Sequence, residues 1–381
     1  MQSKDKLLKV INKEDIGYIP CSIYFNTNLR IPNYDLTKLE DEIKAHLDLG
    51  FEPVVNVEVP QPRIHKDVKI KIWEENIKGE TYKILFKEYQ TPEGTIKQGE
   101  KLTPDWMFGK DIPHPGNDHT TSNIYEPLIK DDKDIKALKY LWQKPDDQQI
   151  KETFERNKDA FALAKKYGVL TRTTIGQGLA IPMFFIGAQN LVYFSMDYDQ
   201  AFSELATIEK EVVFANIKTA KDYGVDLLKR FGGYEQTNFF TPNQFDKYVL
   251  PYLKETVKET KKYDIPMYYR MVTGMKPLLE RIADIGFDMV EGFEPELSNC
   301  SNQEIHDAFY QKSCVWTGVS TPMHLGYKDD TKTREAVREC MEIFKDTPFI
   351  LGVTNSIRNH WPFSNTLAMA DEYKLHVKKH S

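Results

Sequence analysis

Charged and hydrogen-bonding residues follow several short apolar runs of this chain, where a side chain can be anchored by the core and still meet solvent. Tyr269 and Arg270 end one such run. A buried arginine needs an anionic partner, so Arg270 reads either as a binder of a ligand carboxylate or as the ion-pair partner of Glu291, and both can hold together. Glu291 sits in Val-Glu-Gly-Phe-Glu-Pro-Glu, positioned as a general acid, a metal ligand or a cation partner. Glu294 and Glu296 of the same stretch read as solvated loop acids. His324 and His360 follow two later runs and, with Glu291, would compose a His/carboxylate metal or acid–base site. The plain alternative is a pair of exposed loop histidines. The catalytic set is therefore Glu291, His324 and His360.

A second group offers substrate contacts. Tyr234 and Glu235 follow Gly232 and Gly233, which allow close backbone approach to a ligand or simply a tight turn. Asn26, Arg30 and Asn355 join Tyr269 and Arg270 in the same role. Tyr24, Phe25, Trp316, Trp361 and Phe363 offer aromatic walls for a flat substrate, or core packing.

These residues need elements to hold them. Apolar runs at 18–25, 52–57, 168–173, 226–231, 266–271, 289–293, 315–319 and 349–354 read as buried strands, and helical spacing fills most intervals, including 39–49, 132–142, 147–167 and 198–223. A short helical turn is read at 191–194. Eight strands alternating with helices predict an α/β chain folded as a (β/α)8 TIM barrel, whose reactive groups lie at the C-terminal strand ends. A doubly wound sheet is the alternative, but Gly176-Gln177-Gly178 lacks the third glycine of a dinucleotide turn. Residues 67–98 alternate polar and apolar around a Pro92–Thr95 turn, an antiparallel β excursion. Residues 101–122, rich in Pro, Gly, Asp and His, read as a loop or lid, with His114 and His119 serving its internal hydrogen bonds. The whole of 1–381 reads as one domain with an N-terminal insertion at about 67–122.

Composition narrows the class. The 381 residues are 40% apolar and 28% charged, neither disordered nor membranous. Net charge is −6 with scattered basic residues, against a nucleic-acid partner. No apolar run of about 18 residues suggests a membrane span. The first residues read as an amphipathic helix rather than a signal peptide, and Cys21, Cys300, Cys314 and Cys340 have no framework spacing. A cytoplasmic protein with reduced thiols is expected.

Several short motifs, in order, carry a resemblance. They are the Tyr89-to-Thr95 hairpin, the Thr241-Pro242-Asn243-Gln244-Phe245 helix entry leading to Leu250-Pro251-Tyr252, and Thr273-Gly274-Met275-Lys276-Pro277. Ile285-Gly286-Phe287-Asp288 and the closing Ile350-Leu351-Gly352 with Pro362-Phe363-Ser364-Asn365 complete the series. The chain resembles the uroporphyrinogen decarboxylase superfamily, most of all its methyltransferase branch. The resemblance implies a barrel. In zinc-dependent members it implies ligands at positions that here are Met271, Thr273 and Asn355, a thioether, a hydroxyl and an amide that suit zinc poorly. The decarboxylases' N-terminal arginine segment matches residues 25–34, where Arg30 keeps the second arginine and the first is missing. That argues against a many-carboxylate porphyrinogen.

What remains resembles the substrate-side methyltransferases of corrinoid-dependent demethylation, O-demethylase components among them. The expectation is transfer of a methyl group from a methoxylated or methylated small molecule to a corrinoid carried by a partner protein. Zinc stays open, with Glu291, His324 and His360 as replacement ligands. A homodimer is compatible with this reading. The alternatives are a cofactor-free decarboxylase or lyase, and a non-catalytic small-molecule-binding barrel.

Overall fold

Seven short strands pair in parallel through the body of the chain. The structure, a computed structural model, describes residues 1–380. Strand β1 (Val54–Asn56) is followed by a separate antiparallel sheet of β2 (Lys69–Glu75), β3 (Ile84–Thr91), β4 (Gly94–Lys101) and β5 (Ile124–Glu126). The parallel sheet then resumes with β6 (Leu170–Gly176), β7 (Leu227–Phe231), β8 (Met267–Arg270), β9 (Met289–Glu291), β10 (Cys314–Val319) and β11 (Phe349–Val353). Its strand order is β1-β6-β7-β8-β9-β10-β11. The α/β class and the antiparallel insertion both match the sequence reading.

The first of the eight expected strands forms only isolated bridges, Cys21 with Leu351 and Phe25 with Ile357. Pro20 has no N–H to offer a ladder. Even so, Ser22 N–H donates to Leu351 O at 2.9 Å and Glu52 N–H to Cys21 O at 2.7 Å. Residues 20–22 thus bond to β11 on one side and to the lead-in of β1 on the other.

The helices flanking the sheet follow local capping chemistry. Asp147–Tyr167 begins at the Asp146 cap, whose side chain accepts from Gln149 N–H at 2.9 Å, and ends at left-handed Gly168. Leu39–Leu49 ends the same way at Gly50. The helix read at 198–223 is two, Asp199–Ala206 and Lys210–Tyr223, and the turn read at 191–194 is the full helix Ala188–Asp197. Among the described residues no helix is long and apolar enough to cross a membrane.

Alternation sorts the strand residues onto two faces. Leu170, Leu227, Met289, Cys314 and Ile350 from one face pack with Leu7, Val10 and Ile11 of the first helix, Ser3–Ile11. This amphipathic helix caps the N-terminal end of that inner face with hydrocarbon. Toward the C-terminal strand ends the same face turns polar, and Asn56 and Thr174 are exposed despite lying within strands. One end is sealed, and the other is open.

Candidate functional site

Three adjacent strands each point one cation onto the inner face, near its open end. Arg172 (β6), Lys229 (β7) and Arg270 (β8) share a parity, since Thr174 pairs with Lys229, Lys229 with Tyr268, and Phe231 with Arg270. Glu291, the next inward residue, pairs with Arg270 in the ladder and accepts a hydrogen bond from its guanidinium. Arg270 also reaches Thr354 O at 3.5 Å.

Each cation is held differently. Arg172 is buried; its Nε donates to Asn56 Oδ1 at 2.6 Å, and Nη1 donates to Tyr24 and Tyr268 hydroxyls, the latter at 3.0 Å. The Tyr24 ring lies between two guanidiniums, with the Arg172 and Arg270 carbons 4.3 and 5.7 Å from its centroid. Lys229 is half-buried, and among the described residues its amine has no hydrogen-bond partner; the Phe231 ring lies 5.7 Å away. Burial, then Arg270 and Arg172, push its pKa down to about 7, against the pull of Glu291. Glu291 Oε2 is buried and unpartnered. On the helix Leu39–Leu49, burial raises Glu42 to about 7 despite the nearby Arg172. Three basic side chains therefore gather around Glu291, with Glu42 close to one of them.

The outer face shows the opposite balance. Arg230, fully buried, donates to Glu235 Oε1 at 2.8 Å and lies 4.0 Å from Glu209. Tyr269 donates to Glu235 Oε2 at 2.6 Å, with its ring stacked 5.2 Å from Phe287. Glu209 accepts from Gln177 and Gly178 N–H at 2.9 and 2.8 Å, and Leu179 N–H reaches Glu235 at 3.3 Å. A Cβ on Gly178 would overlap Glu235 and Arg230, so the turn closes over these charges only as glycine. Glu235 and Tyr269, read as substrate contacts, lie in this internal clamp and not on the inner face.

The histidine pair does not assemble. His324 Nδ1 accepts from Ser320 N–H at 3.0 Å, and its Nε2 is 3.6 Å from Glu296. Burial lowers its pKa, opposed by Glu296. His360 is exposed, its ring 4.9 Å from Trp361. Glu294 is buried, not solvated: it accepts from Ser320 and Thr354 hydroxyls at 2.7 and 2.6 Å, clasping the ends of β10 and β11.

Elsewhere around the open end, Asn26 folds its side chain back to accept from Asn28 N–H at 3.0 Å, and Asn355 Oδ1 accepts from Ser356 N–H at 2.8 Å. Arg30 is exposed. Tyr234 donates to Asp118 at 2.5 Å, tethering the helix Asp118–Asn123 to the end of β7. Within the segment read as a lid, His114 bonds outward to Leu141 O at 2.9 Å, and His119 lies 3.9 Å from Asp105.

With this geometry in place, comparison decides the family. The family model Uroporphyrinogen decarboxylase (URO-D) matches residues 102–376. The chain belongs to the uroporphyrinogen decarboxylase family. A methyltransferase from Methanosarcina mazei shares the fold, with a TM-score of 0.60 at 14% identity and 99% of each chain covered. A D-psicose 3-epimerase aligns at a TM-score of only 0.39 and 8% identity, over 61% of this chain and 85% of its own. Comparison with curated proteins returns no match.

Family membership makes the zinc positions testable on this chain. Met271 is fully buried, the Thr273 hydroxyl is bonded to Gln236, and Asn355 presents an amide. Among the described residues no three His, Cys, Asp or Glu side chains are grouped as a metal would need. The residues present do not fit a zinc site, either at the family positions or as Glu291, His324 and His360.

Arg172 and Lys229 were not among the sequence candidates. Their signal was a charged residue inside a strand otherwise buried on both faces, in Leu170-Thr171-Arg172-Thr173 and Leu227-Leu228-Lys229-Arg230.

Proposed function

We propose that this member of the uroporphyrinogen decarboxylase family is a methyltransferase. It binds a methylated small molecule over the inner face and passes the methyl group to a corrinoid protein docked at the open end. In this reading residues 20–26 serve as the eighth stave, completing a (β/α)8 barrel around the polar patch. The fold shared with the Methanosarcina mazei methyltransferase supports the reading. The observation that carries it is the unbalanced charge of Arg172, Lys229 and Arg270 around Glu291.

Methyl transfer leaves the bonding electron pair on the atom that loses the methyl group, and negative charge grows there in the transition state. Fixed cations aimed at that atom stabilise the transition state more than the neutral donor. Arg270 is held by Glu291 and Thr354, so it cannot swing away as charge develops. Lys229 has no internal bond to break before it meets the leaving atom. These groups do by charge what a metal does as a Lewis acid elsewhere in the family. The corrinoid would supply the nucleophile that accepts the methyl group.

The test is to incubate the purified chain with a panel of methyl ethers, esters and thioethers and added cob(I)alamin. Demethylated product should form as cob(I)alamin absorbance falls. The same cations suit a carboxylate, which keeps the cofactor-free lyase as the second reading. Carbon dioxide release without a methyl acceptor would select it.

A further inference from the structure

We infer that the site is built for a leaving group that departs as an anion, so that the methyl donor is an O- or S-methyl compound and not a methylated ammonium. The identification of the ligand as a methyl donor rests on the proposed methyl transfer; the preference for an anion rests on the side chains alone.

The argument starts from charge balance on the two faces of β7. Outward, Arg230 is met by Glu235 and Glu209. Inward, Arg172, Lys229 and Arg270 have Glu291 between them; Glu42, its pKa raised by burial to about 7, lies close to Arg172 alone, and the other polar groups facing them are the Tyr24 and Tyr268 hydroxyls and Asn56. Buried charge of one sign is costly unless a counter-charge arrives. The Lys229 amine is the free end of this set. It lies between the two arginine-bearing strands, at the end of a partly buried side chain and with no hydrogen-bond partner among the described residues. A bound anion would satisfy it.

A quaternary or tertiary methylammonium donor would need the reverse. It arrives positively charged and leaves as a neutral amine, so a site for it requires carboxylates or an open aromatic cage. Here Tyr24, the aromatic ring best placed, already lies against both guanidiniums. For an ether, ester or thioether the balance is direct. The bond from methyl carbon to oxygen or sulfur breaks with both electrons staying on the heteroatom. The carbon forms its new bond with the electron pair of the nucleophilic acceptor, the reduced corrinoid of the proposed function. The released anion remains among Lys229, Arg172 and Arg270 until it exchanges for the next donor.

Para-nitrophenol and its methyl ether para-nitroanisole test this on the intact chain, with tetramethylammonium as the cationic probe. Calorimetry at neutral pH should show the phenolate binding about tenfold or more tighter than the ether, the scale of a charge-assisted hydrogen bond. Tetramethylammonium should give no heat. The visible absorbance of the phenolate should show bound probe ionising at lower pH than free probe. Lys229→Met, with its fold checked by circular dichroism, should lose most of the preference, and Lys229→Arg should keep it. Equal binding of ether and phenolate, binding of tetramethylammonium, no binding of any probe, or an unchanged preference in Lys229→Met would each overturn the inference. Anion preference without methyl transfer in the cob(I)alamin assay would instead sink the proposed function and leave the anion site standing.

Discussion

Lys229 and Arg230 are neighbours in sequence on β7 and have opposite electrostatic settings. Arg230 is fully buried and donates to Glu235 at 2.8 Å, whereas the Lys229 amine has no hydrogen-bond partner among the described residues and faces two guanidiniums. A strand places successive side chains on opposite faces, so one peptide bond separates a neutralised structural cation from an uncompensated one. The contrast separates what holds this protein together from what it offers to a ligand.

Removing the uncompensated charge should stabilise the fold. Lys229 has its pKa depressed from 10.5 to about 7, so between these values the unfolded chain binds a proton that the folded chain does not. The destabilisation is full below about pH 7 and is relieved as pH rises toward 10.5. Lys229→Met should therefore gain on the order of 1–3 kcal/mol near neutral pH, a figure discounted because the amine is partly solvated. Urea denaturation at pH 7 and pH 10 measures it. A gain that does not shrink at the higher pH would contradict the assignment.

The outer clamp should behave in the contrary way. Glu235→Ala leaves Arg230 fully buried with only Glu209 at 4.0 Å and frees the Tyr269 hydroxyl. Breaking a buried pair from one side typically costs about 3–5 kcal/mol. Thermal unfolding should show a large drop, with Tyr269→Phe losing about 1 kcal/mol by the same route. A near-neutral Glu235→Ala would return Glu235 to the list of ligand contacts.

The fold was legible where local chemistry and global packing agree. The helices Leu39–Leu49 and Asp147–Tyr167 match the residues read from sequence because a periodic apolar face ends at a glycine that adopts the left-handed conformation. Residues 18–25 read as a strand because they are apolar, yet Pro20 and the turn at Asn26 leave only bridges. The site was harder to read for a physical reason. Strands covered on both sides show no contrast between faces in hydrophobicity, so parity is invisible. Tyr269 and Arg270 look equivalent in sequence although they point apart, and nothing in the sequence sets Lys229 apart from Arg230. The histidines were grouped because their loops follow adjacent strands, but His324 is turned back onto Ser320 and His360 outward onto Trp361.

A second pH dependence lies in the antiparallel sheet. Glu100 on β4 is 1% exposed, its Oε2 has no partner, and burial raises its pKa to about 9. Between 4.5 and about 9 the folded state holds a proton that the unfolded state releases, so this residue costs nothing below pH 4.5 and increasingly more above it. Glu100→Gln keeps the shape of the protonated acid. It should leave stability unchanged near pH 4 and raise it by about 2–4 kcal/mol near pH 9. Equal gains at both pH values would mean that packing, not ionisation, is responsible.

Turnover should carry the imprint of Lys229. If its ammonium form receives the leaving anion, kcat/KM, which reports the free enzyme, falls as pH rises through about 7, where the amine loses its proton. The bound donor is still neutral, so the limb in kcat should lie close to the limb in kcat/KM. Arginine keeps its charge throughout this range, and Lys229→Arg should remove the limb while lowering the maximal rate, since a guanidinium cannot place its charge at the same point. Lys229→Met should lower kcat/KM about tenfold or more below pH 7 and less above it. Full pH profiles of the three proteins with one methyl ether donor decide the matter: a limb near pH 7 that persists in Lys229→Arg belongs to another group, and Glu42, also near 7 and close to Arg172, is then the residue to replace.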